Sequence, residues 1–96
     1  MEKMMLAIGK FKEGEGHFEK FMGFMQSEEA IKERSKVADL SKTIATVSPD
    51  KSNVMFKIYV HDEIALKAFV NGSNPVSRPV FDEVMSSYEI FELNKV

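Results

Sequence analysis

Ninety-six residues, 44% hydrophobic and 29% charged, describe one globular domain rather than a disordered chain. Thirteen basic residues lie scattered among fifteen acidic ones for a net charge of −2, which disfavours a nucleic-acid partner, because phosphate binding needs a concentrated basic face. The absence of cysteine excludes disulfides, thiolate metal sites and cysteine nucleophiles. No apolar run approaches the ~20 residues of a membrane span, and no signal peptide is legible, so a cytoplasmic protein with no membrane partner is expected.

The first predicted element is a strand from about Met4 to Phe11 that is apolar on both faces. Period-two alternation sets Met4, Leu6 and Ile8 against Met5, Ala7 and Phe11. A helix follows over roughly Glu15 to Gln26, where Phe18, Phe21, Met22 and Met25 recur at i, i+3, i+4, i+7. Gly23 inside it suggests a close backbone approach. Ser27 is placed to cap a second, more polar helix from Glu28 to about Lys36.

A second strand is expected over Asp39 to Val47, with Leu40, Ile44 and Thr46 opposite Thr43, Ala45 and Val47. The polar cluster Ser48–Asn53 turns the chain into a third strand, Val54 to Val60. Its apolar face is Val54, Phe56, Ile58 and Val60; Met55, Lys57 and Tyr59 make the other. Asp62 is a natural cap for a helix from Glu63 to Val70, stopped by Asn71-Gly72-Ser73-Asn74-Pro75. Pro79 suits the first turn of a short helix reaching about Met85, and Tyr88 to Leu93 forms the last strand.

The order βα(α)ββα(α)β, with right-handed crossovers, gives an α+β ferredoxin-like domain: a four-stranded antiparallel sheet with its helices on one face. The open face is expected to carry Met5, Ala7, Phe11, Thr43, Ala45, Met55 and Tyr59. That is too apolar for open water, so a homodimer joined sheet to sheet is expected.

A βαββαβ chain of this length with a second apolar sheet face resembles the dimeric α+β barrel superfamily, in which two ferredoxin-like sheets pack face to face. Members include antibiotic-biosynthesis monooxygenases and muconolactone isomerase-like enzymes. The stretch Phe24-Met25-Gln26-Ser27-Glu28-Glu29-Ala30, with the later Lys67-Ala68-Phe69, is similar to a small uncharacterised bacterial family known largely from marine sequences. These resemblances imply a fold and dimerisation rather than a particular reaction. They imply no cofactor.

Candidate chemistry is sparse. His17 and His61 are the only histidines, and no His-x-x-x-His or comparable spacing points to a metal. With Tyr59 they are the candidates for acid–base work in a cofactor-independent monooxygenase or isomerase, but edge and packing roles account for all three. Asn71, Asn74 and Arg78 read as turn and capping residues. Gly14-Glu15-Gly16 lacks the lysine and spacing of a phosphate loop. An RNA-recognition domain shares the element order, but Asn53–Val60 lacks the glycine and basic motif that such a third strand carries.

Seven methionines and eight phenylalanines point elsewhere, because methionine adapts to flexible apolar ligands. Phe18, Phe21, Phe24 and Met25, facing Met55 and Phe56 of the sheet, would line a pocket for a small fatty-acid-like molecule, with Tyr59 as a further binding residue. Lys57, Arg34 or Arg78 would meet its head group. This is the preferred reading. The enzyme is the runner-up, and a structural or regulatory dimer without a pocket is the third.

Overall fold

A computed structural model describes residues 2–96. The chain runs β1 (Lys3–Phe11), α1 (His17–Met25), α2 (Glu28–Val37), a single 3-10 turn (Leu40–Lys42), β2 (Ile44–Val47), β3 (Asn53–Val60), α3 (Glu63–Asn71), α4 (Arg78–Val84) and β4 (Met85–Glu92). The strands form one antiparallel sheet in the order β2-β3-β1-β4. This is the ferredoxin-like arrangement: β1 and β2 run parallel with β3 between them, and β3 and β4 run parallel with β1 between them.

The helix ends follow local chemistry. The Ser27 hydroxyl accepts from the Ala30 amide, and the Asp62 carboxylate accepts from the Ala65 amide. Pro79 sits in the first turn of α4, where a missing N–H costs nothing. Gly72 closes α3 in the left-handed region at φ 90°. Gly23 departs from expectation, because a Cβ there would meet nothing within 4 Å, so no close approach requires a glycine.

All four helices cover one face of the sheet. Beneath them lies a core built on Phe21, which is 1% exposed and packs edge-on against Phe11 and Phe81 at 5.5 Å each. From β3 the core takes Val54, Phe56, Ile58 and Val60, as the alternation indicates. From β1 it takes Met5 and Phe11, both buried. This corrects the expected open face. Met5, Ala7 and Phe11 point to the helices, while Met4, Leu6 and Ile8 pair across the open face with Tyr59, Lys57 and Met55.

β2 is corrected in the same sense. Leu40–Lys42 is a 3-10 turn held by Asp39, whose carboxylate accepts from the Ser41 amide, so the strand begins only at Ile44. Ile44 and Thr46 pair with Lys57 and Met55 on the open face, and Ala45 pairs with Phe56 on the other. β4 starts earlier than expected, at Met85, because a register shift between Lys10 and Phe11 leaves Ser86 as the extra residue opposite β1.

Candidate functional site

Between the helices and the sheet lies a cavity of about 80 Å³. Its floor is Ala7 and Gly9 of β1 with Val54, Phe56 and Ile58 of β3. Its roof draws Phe21 and Met25 from α1, Leu66 and Phe69 from α3, and Phe81 from α4. The strand order makes it a slot across the sheet. Met85 and Tyr88 of β4 line one edge, and Leu40 and Thr43, beyond β3, line the other. Tyr88 is 46% exposed and also lines a surface groove with Asn71, Asp82, Ser86 and Ser87. Val70, Phe81, Met85 and Tyr88 are common to groove and slot, so the two adjoin across these side chains.

Small residues create the space. Gly9 lies under the end of Met85: a Cβ at Gly9 would stand 2.9 Å from Met85 Cε and 3.0 Å from its sulfur. Ala7, beside it on the floor, leaves room next to Phe56. Arg34 is the single charged residue in the wall. One of its guanidinium nitrogens donates to the carbonyl of Met25, the last residue of α1, at 2.9 Å. Burial pulls its pKa down from the ordinary value, and no neighbouring carboxylate raises it.

Of the residues expected to bind a ligand, Phe21, Met25 and Phe56 line the cavity. Phe18 and Phe24 pack against the surrounding core without lining it. Met55 and Tyr59 stand on the open sheet face, where the strand alternation sets them, so neither lines the cavity and Met55 does not face α1, which corrects their expected place in the pocket. Arg78 is exposed and paired with Asp82 at 3.4 Å. The acid–base candidates are also apart from the cavity. His17 Nε2 contacts the Glu13 carbonyl at 3.2 Å, His61 Nδ1 lies 3.4 Å from Glu2, and the Lys42 ammonium lies over the Tyr59 ring. Among the described residues, no three His, Asp or Glu side chains converge as a metal-ligand set.

Sequence reasoning missed Met85, Leu66 and Phe69 as lining residues. Leu66 and Phe69 share an i, i+3 stripe that could have shown it, but Met85 reads as the end of a helix until the bulge is seen. Among the described residues, no helix is long and apolar enough to cross a membrane. No family model and no curated relative matches the sequence. Among solved structures the chain is similar to protein SO0527 from Shewanella oneidensis, with a TM-score of 0.55 and 16% identity over 97% of this chain and 91% of that one. At that identity the likeness concerns the fold, and it agrees with the ferredoxin-like topology.

Proposed function

We propose that the protein binds a small, largely apolar molecule of acyl-chain shape in the slot between its helices and its sheet. The observation that carries this reading is an unfilled space walled almost wholly by apolar side chains between the helices and the sheet. Protein interiors leave few voids larger than a water, and binding sites are concave, apolar and sparingly polar. At about 80 Å³ the space suits a short chain. Met25 and Met85, unbranched and adaptable, are the walls that yield to a longer one. Neither histidine lines the slot, so binding is better supported than acid–base catalysis.

Methionine-methyl NMR during titration with 1-hexanol tests the reading. Met25 and Met85 methyls should shift saturably while Met55, on the far side of the sheet, stays still. Flat titrations at both cavity methionines would overturn it.

The open face supports a second element of the proposal, pairing with another copy of this chain. It presents Met4, Leu6, Ile8, Ile44, Met55 and Phe91. From strand spacing and rise it measures roughly 19 by 27 Å, on the order of 500 Å² per copy and 1,000 Å² in a pair, which is the threshold for a specific interface. Lys57 and Glu89 flank β1 on this face. A two-fold axis along β1 would bring each Lys57 towards the other copy's Glu89, the self-complementarity that an isologous interface needs.

A further inference from the structure

We infer that the molecule held in the slot carries a carboxylate, and that the Arg34 guanidinium receives it. The inference rests on the ligand reading above and adds the ligand's charge. Three cations were candidates for this role from the sequence, and the fold separates them. Lys57 stands on the open face of the sheet, and Arg78 is exposed on α4 and paired with Asp82. Only Arg34 belongs to the cavity wall.

Among the described residues no carboxylate lies within ion-pairing distance of Arg34, although seven other cationic side chains have such a partner. Its environment is half-buried and apolar. A guanidinium there gives up hydration without a compensating charge. The bond to the Met25 carbonyl employs one of its five N–H groups and serves the C-terminal end of α1. A lysine ammonium could serve that end as well. What the guanidinium adds is a planar fork matched to two carboxylate oxygens. The cavity lining is almost wholly apolar, so Arg34 meets it mainly through its stem, and the bond to the Met25 carbonyl holds the guanidinium beside the wall; a carboxylate would reach it there, at the cavity's edge, while the chain lies among Phe21, Phe56 and Phe69.

Hexanoate and 1-hexanol, equal in chain length and different in charge, test this at pH 7 by the same methionine-methyl titration. Hexanoate should bind the wild-type protein at least about tenfold more tightly than hexanol. Arg34→Gln removes the charge and the fork and should abolish that preference, read as the ratio of the hexanoate and hexanol affinities. Arg34→Lys should keep part of it. Equal affinities in the wild-type protein, or an undiminished preference in a folded Arg34→Gln, would overturn the inference and leave the apolar-cavity reading standing. Failure of both compounds to move Met25 or Met85 would overturn the cavity reading, and this inference with it. Should Arg34→Gln not fold, the wild-type comparison and Arg34→Lys still decide.

Discussion

Gly23 shows how much a single residue of this chain can be improved. It occupies the interior of α1, has ordinary helical geometry and faces open space. Glycine there carries the full entropy cost of ordering a flexible backbone, with no turn or close contact to justify it. Gly23→Ala should therefore stabilise the protein by about 0.5–1 kcal/mol, mostly by restricting the unfolded chain. A thermal melt should show the midpoint rising by a few degrees for a domain of this size. Gly9 is the opposite case. A Cβ there would stand 2.9 Å from the Met85 methyl, so the same substitution must push aside the end of Met85, a cavity wall. The sequence marks both positions only as glycine inside a regular element. The difference between them is tertiary.

The elements themselves were largely legible, because their ends are written in caps: Ser27, Asp62, Pro79 and the Asn71–Pro75 stop all act where their chemistry indicates. Strand faces were less so. β1 is apolar on both sides, so alternation alone leaves its orientation undecided. The available signal was Lys10, which continues the row Met4, Leu6, Ile8 and marks it as the open side, while Ala7 and Gly9 mark the side that must accommodate large neighbours. β2 was mis-set because the Asp39 side chain diverts Leu40–Lys42 into a 3-10 turn before pairing starts. Part of the pocket was legible for the same reason. The phenylalanine stripe of α1 showed Phe21 and Met25, whereas Met55 depended on sheet register.

The turn joining β2 to β3 carries a pH dependence of its own. One oxygen of Asp50 accepts from the Ser52 hydroxyl at 2.6 Å, the Ser52 amide at 3.0 Å and the Ser48 hydroxyl at 2.9 Å. Led by the Ser52 hydroxyl, these bonds hold its pKa at about 2, below the ordinary 3.8. A depressed carboxyl stabilises the folded turn fully above the unfolded value and loses that contribution as pH falls through the folded one. The turn should therefore be intact above pH 4 and loosen as pH falls towards 2. The Ser52 amide resonance should titrate with a midpoint near 2 in the wild-type protein and not at all in Asp50→Asn. A midpoint close to 3.8 would mean that the three hydrogen bonds are not held in solution.

At the scale of the whole molecule, the two sheet faces present one problem with two answers. The helix side is covered, and the chain leaves a slot there. The other side carries Met4, Leu6 and Ile8 along the sheet's central β1, with Met55 36% and Phe91 45% exposed beside them. Contiguous exposed apolar patches are characteristic of surfaces that meet a partner. Met55 sits on β3 directly opposite Ile8, so Met55→Glu would place one carboxylate from each copy inside a sheet-to-sheet interface. Burying two uncompensated carboxylates should cost at least about 4 kcal/mol per dimer, or roughly a thousandfold in dissociation constant. Because the same side chain faces solvent in a monomer, the fold itself should be little disturbed. Ile64→Glu is the matched control: Ile64 is 83% exposed on α3, so a carboxylate there should leave the assembly unchanged. Sedimentation should find the wild-type protein and Ile64→Glu at twice the chain mass and Met55→Glu at the chain mass. A Met55→Glu dimer of unchanged affinity would move the interface off this face, and a monomeric wild-type protein would show that a sheet face of about 500 Å² per copy is not enough to hold two copies together.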